Sequence, residues 1–308
     1  MALSGNDPLP PEDTVDTPTP DHKTTSPTPK KVVARREAPE SKPMVASNTL
    51  SFREYSENQG LSISVPDILA KNTSLEHLQD IFSRYILSGG GKDIDTEQDD
   101  FSEKMTVMSQ ELFEKEKEVF VDYIRTLAMN VGNLYKEDQI AKLMNISRRK
   151  VKKYTDILLK HQVISAIHPF VEDPHLELSR HVKLYFADLS YYRAALDVIY
   201  AVGSSRTGVI ENFVYLELVR KLSDSHEIFF WRKKSGTSLQ FILTHRDTAR
   251  ITPIEITLRA TSTLSQAMKS FYDSYGERIE YGMLLNESEA AATTYDGKTF
   301  IILPHPAI

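Results

Sequence analysis

The chain has 308 residues, 43 of them acidic and 37 basic, for a formal net charge of −6, with 40% apolar residues and no cysteine. Disulfides, thiolate metal sites, iron–sulfur clusters and cysteine nucleophiles are thereby excluded, and so is a uniformly basic nucleic-acid binder. About 100–200 residues per domain leaves room for two globular units, and the modest apolar share implies that part of the chain does not fold. The start, MALSGNDPLPPEDT, lacks the basic residues and apolar core of a signal peptide. No run approaches the ~18 apolar residues of a membrane helix. A soluble cytoplasmic protein with no membrane partner is expected.

Residues 1–48 hold nine of the 15 prolines and no aromatic residue. Such a segment buries too little apolar surface to offset its ordering entropy, so a disordered tail is predicted. Its cations Lys30, Lys31, Arg35 and Arg36 are suited to an acidic partner or simply to solvent. Residues 49–118 read as a helical connector. Val65-Pro66-Asp67 starts a helix, with Leu75, Leu78, Ile81, Phe82, Tyr85 and Ile86 following at helical spacing. Ser88-Gly89-Gly90-Gly91 ends it. Lys92 follows the glycines, but the GxxxxGK[ST] spacing of a phosphate loop is absent.

Residues 119–181 carry the first informative pattern. Val119, Phe120, Tyr123, Ile124, Leu127 and Val131 form one apolar stripe, broken at Gly132-Asn133. A short helix over 136–144 leads to a turn at Asn145-Ile146-Ser147. Ser147 is placed to cap a longer helix running to about His161. A strand over 163–171 follows. Helix, short helix, turn, basic helix, strand is the order of a winged helix-turn-helix. The basic helix carries Arg148, Arg149, Lys150, Lys152, Lys153 and Lys160 against only Asp156. Cations on such a helix can hold the phosphates of double-stranded DNA, while a solvated helix face is the alternative. Four side chains on phosphates imply a salt slope of about −3 to −4.

Residues 182–308 change rhythm. A strand over 182–187 and a helix around 191–200 precede an amphipathic helix predicted for 207–222. Strands follow at 227–232, 238–243 and 251–258, the first two joined through Lys233-Lys234-Ser235-Gly236 as a hairpin. A helix over 263–275 and strands at 281–285 and 299–303 complete a sheet covered by helices.

The order and residues of these elements resemble the C-terminal region of a prokaryotic AAA-type ATPase family. There a domain of unknown function follows the ATPase and ends in a nuclease-like PD-(D/E)XK fold. The resemblance runs over about residues 49–290. It rests on Ser51-Phe52-Arg53-Glu54-Tyr55, Tyr85-Ile86-Leu87-Ser88-Gly89-Gly90, Ile140…Ile146-Ser147…Val151…Tyr154 and Lys183-Leu184-Tyr185-Phe186-Ala187-Asp188. It continues through Glu211-Asn212-Phe213-Val214-Tyr215-Leu216-Glu217-Leu218, Ile228-Phe229-Phe230-Trp231-Arg232 and Pro253-Ile254-Glu255-Ile256. The fold class it implies is α+β: a tail, a helical connector, a winged helix and, over 182–308, a restriction-endonuclease-like α/β sheet domain. The chain departs from the family in carrying no Walker-type loop, so ATP hydrolysis is not expected of it.

The resemblance also implies a site with a Glu on the first helix, an Asp in the hairpin's second strand and Glu-x-Lys in the third. Here those positions read Glu211, Gln240, Glu255 and Thr257. Mg²⁺ takes hard oxygen ligands, so Gln240 is a poor replacement, and Thr257 supplies no cation. The site is expected to be vestigial, with Glu211 and Glu255 lining a polar cleft or pairing with Arg232 or Arg259. Glu217 and Trp231 read as structural. The histidines, His161, His168, His175, His181, His245 and His305 among them, form no metal spacing, and Ser204-Ser205 lacks a nucleophile elbow. No cofactor is expected. The function expected is that of a noncatalytic DNA-associated or scaffold protein. Two alternatives stand beside it. One is a divergent Mg²⁺-dependent nuclease rescued by Asp188 or Glu227. The other is an interaction module for a separate ATPase or a like subunit.

Overall fold

The computed structural model describes residues 49–90, 94–171, 181–196 and 205–308, all within one unit spanning 39–308. The tail cations, Lys92 and His175 lie outside the described residues. Among the described residues no helix is long and apolar enough to cross a membrane.

Three serine-capped helices open the described chain. In α1 (Phe52–Asn58) the Ser51 hydroxyl accepts the Glu54 N–H while the Glu54 carboxylate takes the Ser51 N–H, a reciprocal capping box. α2 (Val65–Leu69) carries Pro66 in its first turn. It is separate from α3 (Leu75–Leu87): Lys71 adopts φ 61° and breaks the path, so the single helix expected from Val65 onward is two. α3 buries Leu78, Ile81, Phe82, Tyr85 and Ile86 as its spacing predicts. α4 (Ile94–Ser109) follows.

Next come α5 (Lys117–Met129), α6 (Glu137–Met144) and α7 (Arg148–Lys160). Asn145 makes the turn between α6 and α7 in the left-handed region, and Ser147 caps α7 by accepting the Lys150 N–H. The helices are held together where Tyr123, Tyr135 and Thr155 share hydroxyl hydrogen bonds of 2.6 and 2.5 Å. β1 (Ile164–Pro169) then pairs antiparallel with β2 (Lys183–Phe186), and a bridge from Leu134 to Lys183 adds a third extended segment.

α8 (Leu189–Leu196) leads toward α9 (Ser205–Lys221). β3 (His226–Arg232), β4 (Ser238–His245) and β5 (Ile251–Ile256) form an antiparallel meander. α10 (Gln266–Tyr275) crosses to β6 (Gly282–Asn286), parallel to β5. β7 (Ala291–Tyr295), absent from the sequence reading, forms a hairpin with β8 (Lys298–Pro304). Its turn residues Asp296 and Gly297 both have positive φ, as a two-residue type I′ turn requires.

The eight strands run in the order β2-β1-β3-β4-β5-β6-β8-β7, because the end of β1 pairs parallel with β3. The sheet therefore continues across the division expected at 181–182. α9 and α10 lie against opposite faces of it. Ile254 and Ile256 belong to the cluster holding α9, whereas Ile251 packs with Met268, Phe271 and Tyr272 of α10. α9 is not amphipathic as expected: residues 208–218 are buried all round. The reason lies in the connector. Phe52, Phe82 and Tyr85 meet Phe213 edge-on at centroid distances of 6.0, 4.8 and 6.0 Å, covering the face that would otherwise meet solvent.

Candidate functional site

The structure divides the four nuclease-like positions between two layers. Glu211, on α9, is 4% exposed and accepts the Lys183 ammonium at 2.8 Å and the Tyr185 hydroxyl at 2.6 Å. Both donors come from β2, so the expected pairing with Arg232 or Arg259 gives way to a buried pair with Lys183. The proximity of the carboxylate to the α5–α6 connection requires Gly132: a Cβ there would stand 2.6 Å from Glu211 Oε2. The Glu211 charge also helps burial hold the Tyr185 hydroxyl protonated far into alkali.

Glu255 points to the other face. Its neighbours Ile254 and Ile256 pack on the α9 side, and strand alternation turns Glu255 toward α10. There its Oε2 accepts the Ser265 hydroxyl at 2.7 Å, and the same hydroxyl oxygen accepts the Met268 N–H that caps α10. Burial pushes the Glu255 carboxyl above the usual carboxylate range, and the Ser265 bond opposes this. Gln240 accepts the Ile256 N–H at 3.0 Å, one residue along from Glu255. The Thr257 hydroxyl accepts the Arg259 N–H at 3.2 Å, and its carbonyl accepts from His305 Nε2 at 2.8 Å. Gln240, Glu255 and Thr257 thus belong to one sheet end, while Glu211 is tied to β2. The two acids proposed as replacements are engaged as well. Asp188 accepts the Thr49 hydroxyl and both the N–H and hydroxyl of Ser190, and Glu227 pairs with Arg246 at 3.5 Å. Among the described residues no group of three or more His, Asp or Glu is placed to hold a metal ion. Among the described residues, Glu211, Gln240, Glu255, Thr257, Asp188 and Glu227 do not fit the Mg²⁺ site that the nuclease alternative requires.

Glu217 has the structural role its position suggested. It accepts the Phe52 N–H at 3.1 Å and Arg220 at 2.6 Å, joining the connector to α9.

The cations of α7 occupy a different setting. Val151, Tyr154, Ile157 and Leu158 turn inward, leaving Arg148, Arg149, Lys152 and Lys160 exposed. Arg148 pairs with Glu137 at 2.7 Å, Lys153 with Glu116 at 2.8 Å and Lys160 with Glu111 at 2.9 Å. The Lys153 hydrogen bond holds the Glu116 carboxyl below its ordinary range. Lys150 also approaches Glu116, at 3.9 Å. Arg149 and Lys152 have no ion-pair or hydrogen-bond partner among the described residues. Phe113, before α5, is 71% exposed, with the Lys153 ammonium 5.5 Å from its ring centre. The acids on α6 and before α5 were invisible to a reading confined to α7 itself.

The fold also joins two histidines that sequence spacing kept apart. His226 and His245 are cross-strand partners with ring centres 4.8 Å apart. His245 Nδ1 accepts the Asp247 and Thr248 N–H groups at 3.3 and 3.4 Å, which places its proton on Nε2. That lone pair is therefore spent on the β4–β5 turn and is not free for a metal.

Residues 98–200 match a domain of unknown function, DUF8612, and residues 206–308 match a second, DUF4143. The two matches meet between α8 and α9, so β2, which supplies both donors to Glu211, lies in the first and Glu211 in the second. No curated protein and no solved structure matches the chain.

Proposed function

We propose that this chain is a noncatalytic DNA-associated protein that contacts duplex phosphates through α7. α5, α6 and α7 followed by antiparallel β1 and β2 have the order of a winged helix, with α7 as the recognition helix. The α9–β3–β4–β5–α10–β6 order has the αβββαβ arrangement of the PD-(D/E)XK resemblance, here with a vestigial site. The observation carrying the proposal is the exposed, unpaired state of Arg149 and Lys152, three residues apart and so on one ridge of the helix. The ion pairs of Arg148 and Lys160 involve exposed cations, worth little and open to exchange with phosphate. Cleavage is disfavoured by the split between Glu211 and Glu255. Fluorescence anisotropy of a labelled duplex tests the proposal, with the Arg149→Ala, Lys152→Ala double variant as control; wild-type binding lost in that variant supports it.

A second reading, docking to a separate ATPase, is favoured by the match over residues 206–308, because DUF4143 is often found in AAA-ATPase-associated proteins. Absence of duplex binding together with co-sedimentation with such an ATPase would favour it.

A further inference from the structure

We propose that β7 is a self-association edge, through which two copies of this chain pair antiparallel and continue the sheet across a two-fold axis centred on Thr293. β7 is the last strand of the sheet, and among the described residues nothing pairs with its outer side.

The hairpin register decides which groups face outward. Tyr295 and Lys298 close the two-residue turn and are partners, so they form the hydrogen-bonded pair. Hydrogen-bonded and non-hydrogen-bonded pairs alternate from there. Ala291, Thr293 and Tyr295 therefore spend their backbone groups on β8. Ala292 and Thr294 direct N–H and C=O away from the sheet, and both residues are exposed.

Edge strands in soluble proteins commonly carry a charge, a proline or a bulge that blocks further pairing. Ala-Ala-Thr-Thr-Tyr has no charge and no proline, and its pairing with β8 is unbroken over all five residues.

The occupant follows from the symmetry of that sequence. A two-fold antiparallel pairing puts each residue opposite its mirror position, so any charge away from the axis must find its complement and any charge on the axis meets itself. β7 has none to clash. Centred on Thr293, Ala292 of one copy faces Thr294 of the second, and each such pair exchanges both N–H···O bonds. Ala291 faces Tyr295, large against small at both ends. Thr293 meets itself at a non-hydrogen-bonded position, where Cα atoms stand about 4.5 Å apart and threonine pairs are favourable. Tyr295 is already fixed for this contact by the ring of Tyr272, 5.2 Å away edge-on.

The chain has no cysteine, so an introduced one reports on a clean background. Thr293→Cys places two thiols across the axis at a separation that accepts a disulfide. Under mild oxidation this variant is expected to form covalent dimer at least ~10-fold faster than Thr299→Cys, which is exposed on β8, one strand in from the edge. Adding Thr294→Pro removes an outward N–H without taking a bond from the hairpin, and is expected to return cross-linking to the Thr299→Cys rate. Circular dichroism melts of Thr294→Pro check that the fold persists; should it fail, Ala292→Pro makes the same test at the other outward residue. Cross-linking at position 293 no faster than at 299, or cross-linking that survives a folded proline variant, overturns the proposal.

Discussion

Glu211 and Glu137 are both glutamates within 2.8 Å of a cation, yet the two pairs do different things. Lys183 and Glu211 are 9% and 5% exposed at their side chains, so neither can exchange its partner for water. Arg148 in the α7 pair is 66% exposed and can trade Glu137 for a phosphate or for solvent. Burial turns the first pair into a structural tie between β2 and α9, and exposure leaves the second as an adjustable surface. Glu211, one of the four positions aligned with a nuclease-like site, is thus held in a buried structural pair.

Substitution at the two pairs should separate them most sharply. Glu211→Ala leaves the Lys183 ammonium buried without a partner, a loss of about 3–5 kcal/mol. Chemical denaturation should read that loss, and Lys183→Met added to Glu211→Ala should recover part of it. Arg148→Ala should leave stability nearly unchanged. Equal small effects at both pairs would dissolve the contrast.

His305 supplies the next effect. It is 3% exposed, donates from Nε2 to the Thr257 carbonyl, and burial pushes its pKa down from 6.5 to about 4. The folded state thus binds the neutral ring, and between pH 6.5 and 4 the unfolded chain holds more protons. Stability is full above about pH 6.5 and falls as pH drops toward 4, by on the order of 2–3 kcal/mol from this group. Denaturant midpoints at pH 7.5 and 4.5 should differ accordingly, and His305→Gln should flatten the difference.

Glu255 carries the smaller expectation, with the opposite sign. Its carboxyl pKa is raised by burial, so its contribution is most favourable below pH 4.5 and declines as pH rises through the folded value. Glu255→Gln keeps an acceptor for the Ser265 hydroxyl, and should slightly raise the melting temperature at pH 8 and lose that advantage at acid pH. A fall in melting temperature at pH 8 would mean that the charge itself is needed.

Much of this arrangement was legible in the chain. The spacing of Val151, Tyr154, Ile157 and Leu158 gave the buried stripe of α7, and Ser147 its cap, because both are set by residues three or four apart. What was lost is non-local. The outer face of α9 is covered by Phe52, Phe82 and Tyr85, more than a hundred residues earlier. Glu111, Glu116 and Glu137, which offset the α7 cations, lie on other elements. β7 escaped because Ala-Ala-Thr-Thr lacks the bulky apolar residues that mark a strand, although Asp296-Gly297 was a usable hairpin signal. Glu211 and Glu255 could be aligned to a pattern, but only the sheet shows that they face different layers.

Salt-titrated binding of a duplex is the most direct measurement of the central claim. Arg149 and Lys152, unpaired among the described residues, should contribute about −2 to the slope of log affinity against log salt, and Arg148 and Lys160 steepen it as they exchange their acids for phosphate. The Arg149→Ala, Lys152→Ala variant should flatten the slope by about 2 while keeping the wild-type melting temperature, and the duplex should remain intact in Mg²⁺. No binding at ~50 mM salt, a slope indifferent to the double substitution, or Mg²⁺-dependent cleavage abolished by Glu255→Gln would contradict the account.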